Sequence, residues 1–172
     1  GKAGLNTVIA NLEDSIGEYI GRGMHVLVRT ADRKLTEKIL TRIEKAFMAY
    51  KDPYFTAYEY YRFQQVRYAI YARSDHGMLK SSFVDKPILL NVPPYVNLFQ
   101  DVARDGLTRS SNTEKWSAHN IIDKELGLNV LRDSLGRFDF VGKGDFRDLY
   151  LMQGLFDAVY NRDFPKIKVV GL

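Results

Sequence analysis

Residues 61–73, YRFQQVRYAIYAR, constrain the fold more than any other part of the chain, because they decide whether it contains a central strand. In an extended chain, alternate side chains point to opposite faces. The even positions then form an apolar core face: Val66, Tyr68, Ile70 and Ala72. The odd positions form a face of rings and guanidinium groups: Tyr61, Phe63, Arg67, Tyr71 and Arg73. This division favours a strand, although a helix stays open because Tyr54, Tyr58, Tyr61 and Tyr68 also fit helical spacing.

Apolar residues recur at intervals of three and four in several other segments, which is typical of helices that bury one face. The spacing predicts a helix over residues 5–20 and a second helix that begins after Asp32, a suitable N-cap. Short helices are predicted over residues 95–104 and 116–126. A last helix begins at Asp145 and is predicted to share one apolar face among Phe146, Leu149, Met152, Phe156 and either Val159 or Tyr160.

Short runs of β-branched and aliphatic residues predict strands elsewhere. These runs cover residues 24–29, 78–84 and 87–92, two short strands on either side of the turn at 133–136, and the KIKVV segment near the end of the sequence. Because hairpins are mixed with helices that do not alternate regularly with strands, we expect an α+β fold. The predicted architecture is a single domain with a largely antiparallel sheet flanked by helices.

Composition limits the kind of protein this is. The 172 residues are 45% hydrophobic and 27% charged, which is typical of one globular domain rather than a disordered chain. The sequence has no cysteine and no segment with the pattern of a signal peptide or a membrane span, so a cytoplasmic location is expected, the host cytoplasm if the protein is viral. A net charge of +4 favours anionic partners.

The odd-numbered face of the predicted strand is the candidate binding surface. Rings that stack on bases, beside cations that contact phosphates, are the groups that bind single-stranded nucleic acid without sequence preference. Lys80 on the next predicted strand extends this surface. Arg104, Arg109 and Lys115 flank a polar loop before a helix and form a second candidate contact with phosphate.

With Tyr61, Phe63, Arg67, Tyr71 and Arg73 on one face, the chain resembles in composition the phage-encoded single-stranded-DNA-binding proteins. The resemblance implies a non-enzymatic, oligomeric protein that serves as a transcription or replication cofactor, with an RNA or DNA polymerase as a partner. No metal-ligand spacing, nucleophile motif or cofactor signature is present, so neither catalysis nor a cofactor is predicted. The competing hypothesis is a virion or scaffold subunit whose aromatic face forms an oligomer interface.

Overall fold

A computed structural model describes residues 4–73, 75–104, 121, 124, 127–135, 141–142, 144–160 and 168. The regular elements of these residues are helices, and no strand occurs among them. In chain order they are α1 (Leu5–Tyr19), a 3₁₀ turn (Gly21–Gly23), α2 (Met24–Thr30), α3 (Arg33–Phe47), α4 (Pro53–Ile70), α5 (His76–Phe83), α6 (Pro93–Ala103), α7 (Leu128–Leu135) and α8 (Asp145–Tyr160). The predicted α+β fold with an antiparallel sheet is therefore wrong for the part of the chain that is described.

Contacts divide the chain into two compact units. The first comprises Gly1–Asp75 and Leu89–Leu98, and the second comprises His76–Ile88 and Phe99–Leu172. Helices α1 to α4 belong to the first unit, whereas α5, α7 and α8 belong to the second. The division does not test whether the chain folds as a single domain, which stays a prediction.

The core of the first unit lies where α1, α2, α3 and α4 meet. Its buried side chains are Val8, Leu12, Ile16, Ile20, Leu27, Leu40, Ile43, Phe55, Phe63, Val66 and Ile70. The α1 and α3 members recur at intervals of three and four, as expected for helices with one apolar face. The predictions of helices α1 and α3 are confirmed, and Asp32 caps α3 by accepting a hydrogen bond of 2.9 Å from the backbone N–H of Leu35.

Helix α4 replaces the predicted strand over residues 61–70, and Tyr71 follows as its C-cap. It begins with two strong helix signals, because Asp52 accepts a hydrogen bond from the backbone N–H of Phe55 and Pro53 occupies the first turn. Phe55, Phe63, Val66 and Ile70 lie on the side that faces the core of the first unit, whereas Tyr61, Gln64 and Tyr68 are buried on the other side. Because α4 is buried on two sides, it lacks the single apolar stripe by which a helix is recognised in a sequence. Apolar residues occur at both even and odd positions.

The other predicted strands that lie in the described ranges are also wrong. Residues 24–29 lie in α2, residues 78–83 lie in α5, and residues 87–92 have no regular structure. The first strand of the hairpin around 133–136 is part of α7, in which Leu131, Ser134 and Leu135 are buried with helical spacing. Apart from isolated positions, the second strand of that hairpin, the predicted helix 116–126 and the KIKVV segment fall outside the described residues.

Helix α5 shows how a segment that was predicted as a strand can be helical. Ser81 and Ser82 each donate a side-chain hydrogen bond of 2.8 Å to the carbonyl of Met78, which satisfies these hydroxyls inside a helical turn. Leu79 and Phe83 are buried on the same side of this helix. Tertiary burial of one face therefore outweighs the local preference for strand.

The predicted helices α6 and α8 are confirmed, but the buried face of α8 differs from the prediction. Phe146 is buried as expected, together with Tyr150 and Leu151. Met152 and Phe156, predicted to share the face of Phe146, are each 65% exposed. The described part of the chain contains no helix that is long and apolar enough to span a membrane.

Candidate nucleic-acid interface

Two of the three rings that were expected to stack on bases are inside the protein. Tyr61 and Phe63 are each only 4% exposed. Tyr61 packs edge to face against Tyr60 and Tyr95, with ring centroids 5.0 and 4.9 Å apart, and its burial raises the pKa of its hydroxyl. A ring enclosed in this way has no free face for a base, so the strand face proposed from the sequence does not exist as a surface.

Arg67 and Tyr71 are brought together, but by an acid on α3 rather than by alternation along a strand. Arg67 donates two hydrogen bonds to the carboxylate of Glu37, at 2.8 and 2.9 Å, and the Tyr71 hydroxyl donates to the same carboxylate. The hydrogen bonds from Arg67 hold the pKa of Glu37 below its ordinary value, and burial raises the pKa of Tyr71 to about 12. This cluster neutralises Arg67 and joins α3 to the C-terminal end of α4.

The remaining predicted site residues are dispersed. Arg73 is exposed in the first unit, and Lys80 is exposed on α5 in the second unit. Arg104 follows α6 with its side chain 71% exposed and lies 3.9 Å from Asp101. Arg109 and Lys115 fall outside the described residues. Contact of any of these cations with nucleic acid stays a prediction.

Helix α3 carries a row of cations that the sequence reasoning missed. Lys34, Lys38, Arg42 and Lys45 are all exposed, and we call them the basic stripe. At 100° per residue, the three lysines lie within about 40° of one another around the helix, with Arg42 at one edge of the row. Leu40 and Ile43 face the core from the opposite side. The stripe is therefore the outward face of α3, and it extends for about 16 Å along the helix axis.

Side chains at the two edges of this outward face contact the neighbouring helices. Glu37, on the edge toward α4, is paired with Arg67, so its charge is compensated within the protein. On the other edge, the guanidinium of Arg42 lies over the ring of Tyr19 of α1, 4.8 Å from its centroid. Thr41 lies between the lysines, and an open groove of about 500 Å³ on this surface is lined by Glu37, Lys38, Thr41, Arg42 and Lys45.

The chemistry of the stripe suits phosphate rather than bases. Lysine presents a compact charge on a flexible stem, which contacts anions without demanding one orientation. Thr41, which lies among these cations, is uncharged and polar. Helix α3 has no asparagine or glutamine, so the amide side chains that read adenine edges are absent from this face. Exposed acids do lie nearby, with Glu44 on α3 and Asp14 and Glu18 on α1. Long-range attraction is thus modest, and contact with phosphates must be direct.

The stripe had a signal in the sequence. Lys34, Lys38, Arg42 and Lys45 are spaced four, four and three residues apart in a segment already predicted to be helical, so their common face could have been read from the spacing. The sequence could not show that Glu37 forms an ion pair with Arg67, because the two residues are 30 positions apart in the chain.

No family model, curated protein or solved structure matches the chain. Among the residues that the structure describes, no group of three histidine, aspartate or glutamate side chains could hold a metal ion. The functional assignment therefore rests on the surface of the molecule itself.

Proposed function

We propose that the protein binds single-stranded nucleic acid through its phosphates, without sequence preference and without catalysis, using the basic stripe of α3. The observation that carries the proposal is the row of Lys34, Lys38, Arg42 and Lys45 on one exposed face of a rigid helix, with Glu37 paired elsewhere. A straight row of cations can follow one phosphate backbone.

The preference for a single strand rests on two features of this face. The ring of Tyr19, which is 38% exposed, lies against Arg42 at the edge of the stripe and can stack on an unpaired base. Helix α3 also contains no asparagine or glutamine, the side chains that read adenine edges in the major groove of a duplex. DNA is the single-stranded partner favoured by the compositional resemblance, and a cytoplasmic location with a polymerase as partner belongs to the same hypothesis.

The test is a titration of labelled single-stranded and double-stranded oligonucleotides by fluorescence anisotropy at several salt concentrations. Four phosphate contacts give an expected slope of about −2.8 for log affinity against log salt, from about −0.7 for each contact with a single strand. The double variant Lys38→Ala/Lys45→Ala should reduce the slope to about −1.4 and weaken binding at low salt.

A matched control separates the stripe from general electrostatic attraction. The double variant Lys86→Ala/Lys124→Ala removes the same charge from two exposed positions that are not predicted site residues, so both variants have a net charge two lower than the native +4. We expect this control to retain the slope of the native protein. Equal losses for both variants would refute the role of the stripe, tighter binding to duplex would refute the single-strand preference, and a lack of binding at low salt would refute the function.

A further inference from the structure

The C-terminal half of α8 exposes a row of apolar side chains on the side opposite its buried face. Met152 and Phe156 are each 65% exposed, Val159 is 51% exposed, and Tyr160 is 79% exposed. The rings of Phe156 and Tyr160 stack on each other with centroids 6.3 Å apart. We call these four residues the α8 ridge. It is a continuous apolar surface, unlike the isolated exposed apolar residues that are normal on proteins.

A groove lies directly beside the ridge, within the same unit. It has a volume of about 350 Å³ and is lined by Leu128, Asn129, Arg132, Asp148, Leu151, Met152 and Leu155. Its floor is thus mainly leucine and methionine from α7 and α8. Arg132 donates two hydrogen bonds to the carboxylate of Asp148, at 2.8 and 2.7 Å. Because the two charges are paired with each other, an apolar occupant of the groove leaves neither of them unpaired.

A ridge next to a groove on one surface is self-complementary under two-fold symmetry, because each copy offers what the other requires. The ridge also carries no charge, and the nearest acid of the same turns, Asp157, accepts a hydrogen bond from Gln153. Two copies can therefore approach without repulsion between like charges. Methionine and aromatic residues are the types enriched in protein interfaces.

The area available matches a modest dimer. Two rings of about 150–250 Å² each, exposed to the extents given, contribute about 300 Å². With Met152, Val159 and the groove side chains we estimate about 500 Å² for each copy, or about 1,000 Å² in total, the lower limit for a specific interface.

We propose that the protein forms a symmetric homodimer in which the α8 ridge of each copy enters the α7–α8 groove of the other. The ridge and the groove share no residue with the basic stripe, so the dimer and nucleic-acid binding can be tested by separate substitutions. The proposal assigns the oligomer expected from the sequence to α8 rather than to the aromatic residues of α4.

Sedimentation equilibrium over a range of protein concentrations tests the proposal. The native chain should show a monomer–dimer equilibrium. Phe156→Glu on the ridge and Leu128→Glu in the groove should each weaken dimerisation by about 30-fold or more, because a two-fold interface loses each apolar contact twice. Val26→Glu is the matched control, since Val26 is an apolar residue 42% exposed on α2 of the other unit.

Circular dichroism must show the same helix content in all four proteins, and all three mutated positions are exposed enough for the fold to tolerate them. A native chain that stays monomeric at high micromolar concentration would overturn the proposal. So would a Phe156→Glu variant that dimerises like the native protein, or a Val26→Glu control that is weakened to the same extent.

Discussion

Replacement of Tyr61 by alanine should destabilise the fold severely, although the strand interpretation made this residue a surface group. Tyr61 is 4% exposed and packs against the rings of Tyr60 and Tyr95. Truncation of a large buried aromatic side chain costs about 3–5 kcal/mol, which includes the cavity left behind. Since domains are stable by only about 5–15 kcal/mol, the variant should be close to unfolding.

The adjacent Tyr60 supplies a matched control, because it is the same residue type on the same helix but is 38% exposed. Tyr60→Ala should cost about 1 kcal/mol or less, mainly through the lost contact with the Tyr61 ring. Urea unfolding followed by circular dichroism measures both variants. With a slope of about 2 kcal/mol/M, Tyr61→Ala should lower the midpoint by about 2 M and Tyr60→Ala by about 0.5 M or less.

Which of the two substitutions causes the larger loss of stability shows whether this segment is a helix or a strand. In an extended segment, Tyr60 would share the core face with Val66 and Tyr68, and Tyr61 would be exposed. A large loss for Tyr60→Ala together with a small loss for Tyr61→Ala would therefore refute the helical packing of α4.

Three further substitutions test the electrostatics and the capping of the first unit by urea unfolding. Burial, followed by the nearby charge of Glu44, raises the pKa of Glu59, whose Oε1 atom is buried without a hydrogen-bond partner. Ionised Glu59 therefore lowers the stability of the protein at neutral pH. Glu59→Gln should stabilise the protein by about 0.5–1 kcal/mol, after allowance for solvent screening. This gain should vanish below the ordinary pKa of 4.5, because Glu59 is then protonated in both the folded and the unfolded chain. The pKa of Glu37 is lowered, first by the hydrogen bonds from Arg67, so Glu37→Gln should cost about 1 kcal/mol above pH 4.5, a difference that disappears as the pH falls through the lowered pKa. Asp52→Ala should cost about 1 kcal/mol, because the side-chain cap of α4 is lost. An unchanged urea midpoint for any of the three would contradict the role given to that side chain.

The parts of the fold that could be predicted are those in which one apolar face repeats over several turns. Helices α1 and α3 each bury one stripe against the core, and Asp32 marks the start of α3 by a local rule. The burial of Val66, Tyr68, Ile70 and Ala72 was also predicted correctly, although for the wrong conformation. Burial can be inferred from apolar character alone, whereas conformation requires the periodicity.

The candidate site could be predicted only in part, for a related reason. The exposed face of α3 follows from its spacing, so the basic stripe was accessible from the sequence. The compensation of Glu37 by Arg67 and the stacking of Arg42 on Tyr19 join residues on different helices. Such contacts depend on how the helices pack, which local patterns do not specify.

The sequence by itself determined the positions of α1, α3, α6 and α8, the absence of cysteine chemistry and the cationic row on α3. Only the tertiary structure decided the state of residues 61–73. Residues 61–70 lie in α4 and are buried on two sides, so apolar residues at both even and odd positions hid the difference between the periods of a helix and a strand. The physical reason is that a helix with contacts on opposite sides receives its conformation from its neighbours as well as from its own pattern. The same packing buried Tyr61 and Phe63 and left the basic stripe of α3 exposed.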